Sequence, residues 1–169
     1  MIIRFAVEND LESIAKLYVH NHKTTYRDLL SEKYLNSLTV DGAKSRWRKY
    51  LDDNNKIWVA YESDVFLGFT AGKEDEEIKD TWYLDSLHVS ENARGRGIGT
   101  ELIRTMGIYA VENGYKAMSI CVVKGNESAK NLYLRLGAEP YNSFDDSFGN
   151  SRTNSEKLIW NDIGMLSSQ

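Results

Sequence analysis

The chain is poor in the residues that build specialised scaffolds. Of its 169 residues, one is cysteine (Cys121) and one is proline (Pro140). A lone thiol cannot form an internal disulfide, which excludes a disulfide-stapled scaffold and makes a reducing, cytoplasmic setting the expectation. Long apolar runs are also missing: the longest is Ile57 to Tyr61, far short of the ~20 residues of a membrane-spanning helix. The opening Met1-Ile2-Ile3-Arg4 lacks the apolar core of a secretory leader. Basic charge is not in excess either, since 21 Lys+Arg face 25 Asp+Glu for a net charge of −4. That balance argues against a general nucleic-acid surface. Three histidines, at 20, 22 and 88, form no close cluster with carboxylates, so no metal site is expected. What remains is an ordinary globular composition, 41% apolar and 27% charged, at a length that fits one domain spanning residues 1–169.

The hydrophobic pattern alternates between strand and helix. Ile2 to Val7 reads as a strand, with Asn9-Asp10 capping a helix built on Leu11, Ile14, Ala15, Leu17 and Tyr18. Ser31 is positioned to cap a short helix ending at Leu38, and Ala43, Trp47, Tyr50 and Leu51 mark a third. Lys56 to Glu62 and Val65 to Lys73, separated by Ser63-Asp64, read as an antiparallel hairpin. Glu74-Asp75-Glu76-Glu77 reads as a solvated acidic loop. Thr81 to Val89 is a strand, Ile98 to Ala110 an amphipathic helix stopped at Gly114, and Tyr115 to Val123 a buried strand. Asn126 is placed to cap a helix that closes at Gly137, and two final strands are expected around a polar loop, Asn142 to Ser155. Cys121 falls mid-strand, with nothing nearby in sequence to activate it, and reads as core.

One segment is out of proportion with the rest. Gly95, Gly97 and Gly99 fall within five residues, interleaved with Arg94 and Arg96, between a strand and a helix. Backbone N–H groups at a helix start lack intrahelical partners and carry the positive end of the helix dipole, so they suit an anion. Glycines let a phosphate approach them, and arginines add charge and a planar fork. Arg94 to Thr100 is therefore a candidate pyrophosphate cradle, although a glycine turn with two solvated arginines has the same composition. It is not a P-loop, because no lysine follows the glycines as that motif demands. A dinucleotide fingerprint would need glycine where Thr100 stands.

Arg94-x-x-Gly97-x-Gly99, preceded by Leu87-His88-Val89 and followed by Asn126-x-x-Ala129-x-x-Leu132-Tyr133-x-x-Leu136-Gly137, resembles the GCN5-related N-acetyltransferase superfamily. The resemblance covers nearly the whole chain and is most specific within residues 84–137. It implies an α/β domain with a mixed, mostly antiparallel sheet flanked by helices, binding acetyl-CoA as cosubstrate without a metal. It also implies two splayed strands, Tyr83 to Val89 and Met118 to Val123, that admit the pantetheine arm. On this sequence the resemblance assigns the cofactor to Leu87, His88, Val89, Arg94, Gly95, Arg96, Gly97, Ile98, Gly99, Thr100, Asn126, Ser128 and Tyr133. Leu87 and Val89 would act through their main chains, whereas His88 alternates to the opposite face and reads as structural.

The implied reaction is direct attack of a primary amine on the acetyl thioester. The amine must lose a proton and the departing thiolate must gain one. Tyr133 matches a family tyrosine near the sulfur, so the resemblance makes it the acid; plain packing on its helix is the other reading. Asp85, where relatives carry a carboxylate, is the candidate base or amine anchor, or else a solvated strand residue. Asp85 and Leu87 are expected on one face of their strand. His22, Thr25 and Tyr26, expected between the first two helices, are candidate acceptor contacts. The acceptor is expected to be a small molecule, with cationic polyamines or aminoglycosides favoured by the acidic surface. The alternatives are a protein N-terminal or lysine acetyltransferase, and a non-catalytic acyl-CoA-binding or regulatory module. No nucleic-acid or membrane partner is implied, and a homodimer is admitted because many members of the superfamily pair.

Overall fold

The computed structural model describes residues 1–149 and 151–167. Its elements are β1 (Ile2–Phe5), α1 (Leu11–Thr25), α2 (Glu32–Ser37), α3 (Val40–Asp52), β2 (Lys56–Glu62), β3 (Val65–Glu74), β4 (Thr81–Val89), α4 (Ile98–Glu112), β5 (Ala117–Val123), α5 (Glu127–Arg135), β6 (Glu139–Phe148), β7 (Ser151–Trp160) and α6 (Ile163–Ser167). The strands form one seven-stranded sheet in the order β1-β2-β3-β4-β5-β7-β6. Every neighbouring pair is antiparallel except β4–β5. The α/β class and the mixed, mostly antiparallel sheet agree with expectation.

Alternation along the strands feeds two cores, one on each face of the sheet. In β2, Trp58 and Ala60 join Leu84, Met118, Leu158 and the inner face of α4, from Ile98 to Ala110. Ile57 and Val59 point the other way, joining Phe69, Ala71, and Leu11, Ile14 and Trp47 of α1 and α3. Asp10 ties β1 to the start of α1: its carboxylate accepts from both terminal nitrogens of Arg4, from the Val7 N–H and from the Tyr61 hydroxyl. Ser31 caps α2 by accepting from the Tyr34 N–H.

The parallel pairing of β4 with β5 runs only from Thr81–Ala117 to Leu84–Ile120. Beyond that point β4 stays bonded to β3 as far as Val89, and β5 stays bonded to β7 as far as Val123. The two strands therefore diverge, leaving facing edges of Asp85–Val89 and Cys121–Val123. The divergence starts at an irregularity: Leu84 pairs with Gly72 and Ser86 with Ala71, so Asp85 is the extra residue of a β-bulge.

Several sequence expectations are corrected. The bulge breaks strict alternation, so Asp85 and Leu87 do not share a face. Leu87 packs against the α4 core, whereas the charge of Asp85 acts on Tyr50 of α3. His88 does face away from Leu87, stacking on Phe69 at 5.3 Å between ring centroids. Residues 142–155 are largely strand rather than loop: β6 and β7 pair from Asn142–Lys157 to Phe148–Ser151. Most of β6 is exposed, so its polar residues needed no apolar alternation to form a strand. The acidic loop is not wholly solvated, because Asp75 is buried and accepts from the Glu77 and Ile78 N–H groups, Ser119 and Lys157. Asn126 makes no side-chain cap on α5. Finally, α1 continues through Thr25, so His22 and Thr25 lie on a helix and Tyr26 at its end.

Candidate functional site

The divergence of β4 and β5 opens a cleft of about 850 Å³. Its floor is the two strand edges, its walls are α1, α3 and α5, and its mouth includes the turn before α4. In that turn Gly95 and Gly97 have φ of +77° and +79°, and a Cβ built on either meets nothing within 4 Å. The positive φ values require glycine, and the space beyond them is open. The Gly97 carbonyl accepts the first helical bond from the Glu101 N–H at 3.0 Å. The N–H groups of Ile98, Gly99 and Thr100 thus precede any intrahelical acceptor, the arrangement an anion uses.

The two arginines do not share a role. Arg94 lines the cleft but is turned toward α1, donating to Asn21 Oδ1 at 3.1 Å and to the Val89 carbonyl at 3.3 Å. Arg96 is outside the cleft wall and forms an ion pair with Glu62. Glu62, distant in sequence, competes for Arg96 in a way the local motif could not disclose.

Leu87, His88, Val89, Gly95, Gly97, Ile98, Gly99, Thr100, Asn126, Ser128 and Tyr133 all line the cleft, as do Asp85, His22, Thr25 and Tyr26. Tyr133 is buried, with its ring 6.0 Å from Trp160 in an edge-to-face contact. Burial pushes its phenol above the ordinary tyrosine value, so the hydroxyl keeps its proton. Asp85 is half-buried on the β4 edge of the floor; burial pushes its carboxyl above the usual range, opposed by the charges of Arg46 and Lys73. A carboxylate raised in this way is a stronger proton acceptor than a solvated one.

Two neutral imidazoles complete the wall. Burial lowers His22 to about 4 and His88 to about 3. His22 Nδ1 donates to the Tyr18 carbonyl at 2.9 Å, a contact that places the ring proton on Nδ1. His88 Nδ1 instead accepts from Asn21 Nδ2 at 3.3 Å. Asn21 therefore links Arg94 beside the glycine turn to His88 on the strand.

The sequence reading missed Arg46, Tyr83, Tyr18, Asn21 and Phe148, which also line the cleft. None carries a local motif; tertiary packing brings them together. Cys121 lines it too, and burial raises its thiol, the opposite of what an activated nucleophile needs.

The chain matches the model of the acetyltransferase (GNAT) family over residues 11–138. Among curated relatives, the uncharacterized N-acetyltransferase YhfO of Bacillus subtilis (strain 168) is 28% identical over 148 residues, covering 85% of this chain and 93% of its own. Among solved structures, a GCN5-related N-acetyltransferase from Rhodopseudomonas palustris superposes with a TM-score of 0.78 at 17% identity, over 95% of this chain and 94% of that one. The yncA structure from Salmonella typhimurium, solved with its cofactor acetyl-CoA, has a TM-score of 0.73 at 18% identity over 95% and 93%. The chain belongs to the acetyltransferase (GNAT) family. By that family it is an acetyltransferase. No helix among the described residues is long and apolar enough to cross a membrane.

Proposed function

We propose that the chain acetylates the primary amine of a small molecule by direct attack, in the cytoplasm. The observation that carries this reading is the cleft itself, which joins the open glycine turn, the divergent strand edges and the pair Asp85 and Tyr133 in one space. Acetyl-CoA supplies an activated acetyl thioester. Open space beside Gly95 and Gly97 fits its diphosphate, held by the N–H groups at the start of α4. The free edge of β4 at Leu87 and Val89 fits its amide-bearing arm, with Asn126 and Ser128 at the facing wall.

Asp85 receives the proton of the incoming amine, which is mostly an ammonium ion at neutral pH and unreactive until it is lost. Its raised pKa suits that task. Tyr133 holds a proton for the departing thiolate, and its burial in the α5 wall fixes its ring. His22, Thr25 and Tyr26 form the acceptor side of the cleft. Direct attack is favoured over a covalent acetyl-enzyme because the thiol of Cys121 is raised by burial.

Amine-dependent release of CoA thiol, followed by mass spectrometry of the product, tests the reading. A mass gain of one acetyl group on a small amine is the expected result. Acetyl-CoA binding without turnover across polyamines, aminoglycosides, amino acids and peptides would instead indicate a binding module.

A further inference from the structure

Arg46 is a cation in the acceptor end of the cleft without a carboxylate of its own. Arg4, Arg48, Arg96 and Arg104 each hold an acidic side chain within ion-pair distance, whereas no such pair involves Arg46 among the described residues. Its guanidinium instead lies over the rings of Tyr18 at 5.6 Å and Trp47 at 5.2 Å. Those two contacts fix a planar, permanently charged fork at the rim while leaving its N–H edges available. Asp85 lines the same cleft, and the two are near enough for Arg46 to act on its charge but do not form an ion pair. A guanidinium on α3 and a carboxyl group on β4 thus face the same cleft without pairing.

A ligand bearing only amines would satisfy Asp85 and place a like charge beside Arg46. A ligand bearing an amine and a carboxylate complements both, and guanidinium–carboxylate pairs are strong, directional contacts. We propose that the acceptor is a small zwitterion, an amino acid in the broad sense, whose carboxylate is held by Arg46 and whose amine is presented at Asp85. This inference rests on the amine-acetylation reading and redirects its acceptor. The net charge of −4 favours cationic amines at long range, but screening confines that pull to about 10 Å, and the charges lining the cleft decide the fit.

The test compares each of the common L-amino acids with its own primary amide, at equal concentrations of free amine, with cadaverine and spermidine as carboxylate-free amines. Thiol release is measured for the wild type, Arg46→Gln and Arg46→Lys. The expected wild-type kcat/KM for the preferred acid exceeds that for its amide by roughly tenfold or more, expressed mainly in KM. Arg46→Gln brings that ratio close to one, and Arg46→Lys, which keeps the charge but not the fork, retains an intermediate ratio. Calorimetric titration of the preferred amino acid onto the CoA-loaded protein follows the same order. Turnover that favours spermidine, an acid-to-amide ratio near one in the wild type, or a ratio unmoved by Arg46→Gln overturns the zwitterion while leaving amine acetylation standing. Absence of thiol release with every amine overturns amine acetylation itself, and this inference with it.

Discussion

Replacing Gly97 by alanine and, in parallel, Gly114 by alanine separates backbone strain from ligand exclusion at the two ends of α4. Both glycines are left-handed, with φ of +79° and +85°, and an added Cβ meets nothing within 4 Å at either. Neither substitution clashes, so each carries only the left-handed penalty of an L-residue, about 1–2 kcal/mol. For a chain of this size that corresponds to a fall in Tm of about 2–8 °C in each variant. The positions differ in what lies outside them, because Gly97 lines the cleft and Gly114 does not. A methyl group at Gly97 enters the space through which a diphosphate reaches the N–H groups, so the affinity for CoA should fall by at least about tenfold, or about 1.4 kcal/mol. With CoA at a hundred times the wild-type Kd, wild type and Gly114→Ala should both gain about 2.7 kcal/mol from the ligand, and Gly97→Ala about 1.4 kcal/mol. Thermal melts with and without CoA, paired with calorimetry, read both quantities. Equal CoA affinity in the two variants would remove the turn from the binding site.

Asp85→Asn should lower kcat/KM by roughly 10²-fold, the usual weight of a general base. The same change should raise Tm at pH 7: a carboxyl whose folded pKa is raised stabilises the fold below its unfolded pKa, and that stability is lost as pH rises through the folded value. Melts showing Asp85→Asn less stable than wild type at pH 7 would contradict the burial argument. Tyr133→Phe should reduce kcat by roughly 10²-fold with a much smaller change in acetyl-CoA Kd; unchanged turnover would exclude the phenol from proton transfer. His22 has the opposite sign to Asp85. Its folded value of about 4 lies below the ordinary 6.5, so stability present above pH 6.5 is lost as pH falls toward 4. At pH 5 the loss is of the order of 2 kcal/mol, and urea midpoints measured between pH 7 and 5 should decline less in His22→Gln than in wild type.

What could be read from the sequence was local. The glycine turn, the strand ending at Val89 and the helix closing at Gly137 each depend on residues within one or two turns of one another, where periodicity and backbone permissiveness leave a mark. The cleft residues that escaped notice depend on long-range neighbours. Arg46 reaches the site because α3 packs beside α1, and Asp75 is buried because Lys157 and Ser119, from β7 and β5, meet it there. The outer parts of β6 and β7, Asn142–Phe148 and Ser151–Ser155, escaped as strand for a different reason: they are polar, and in β6 mostly exposed, so no hydrophobic alternation reveals them. The bulge at Asp85 is the most consequential omission, since a one-residue irregularity reassigned the face of the candidate base and carries no residue-type signature of its own.

That bulge also sets stability against activity. Had β4 and β5 continued in register past Leu84 and Ile120, Asp85, Ser86 and Leu87 would have zipped onto Cys121, Val122 and Val123. The result would be a more completely bonded sheet with no way in for a substrate. Selection for folding alone would therefore seal the middle of the molecule. A stabilising substitution that straightens β4 should accordingly be viewed with suspicion, because the unfinished seam is the part of the sheet that works.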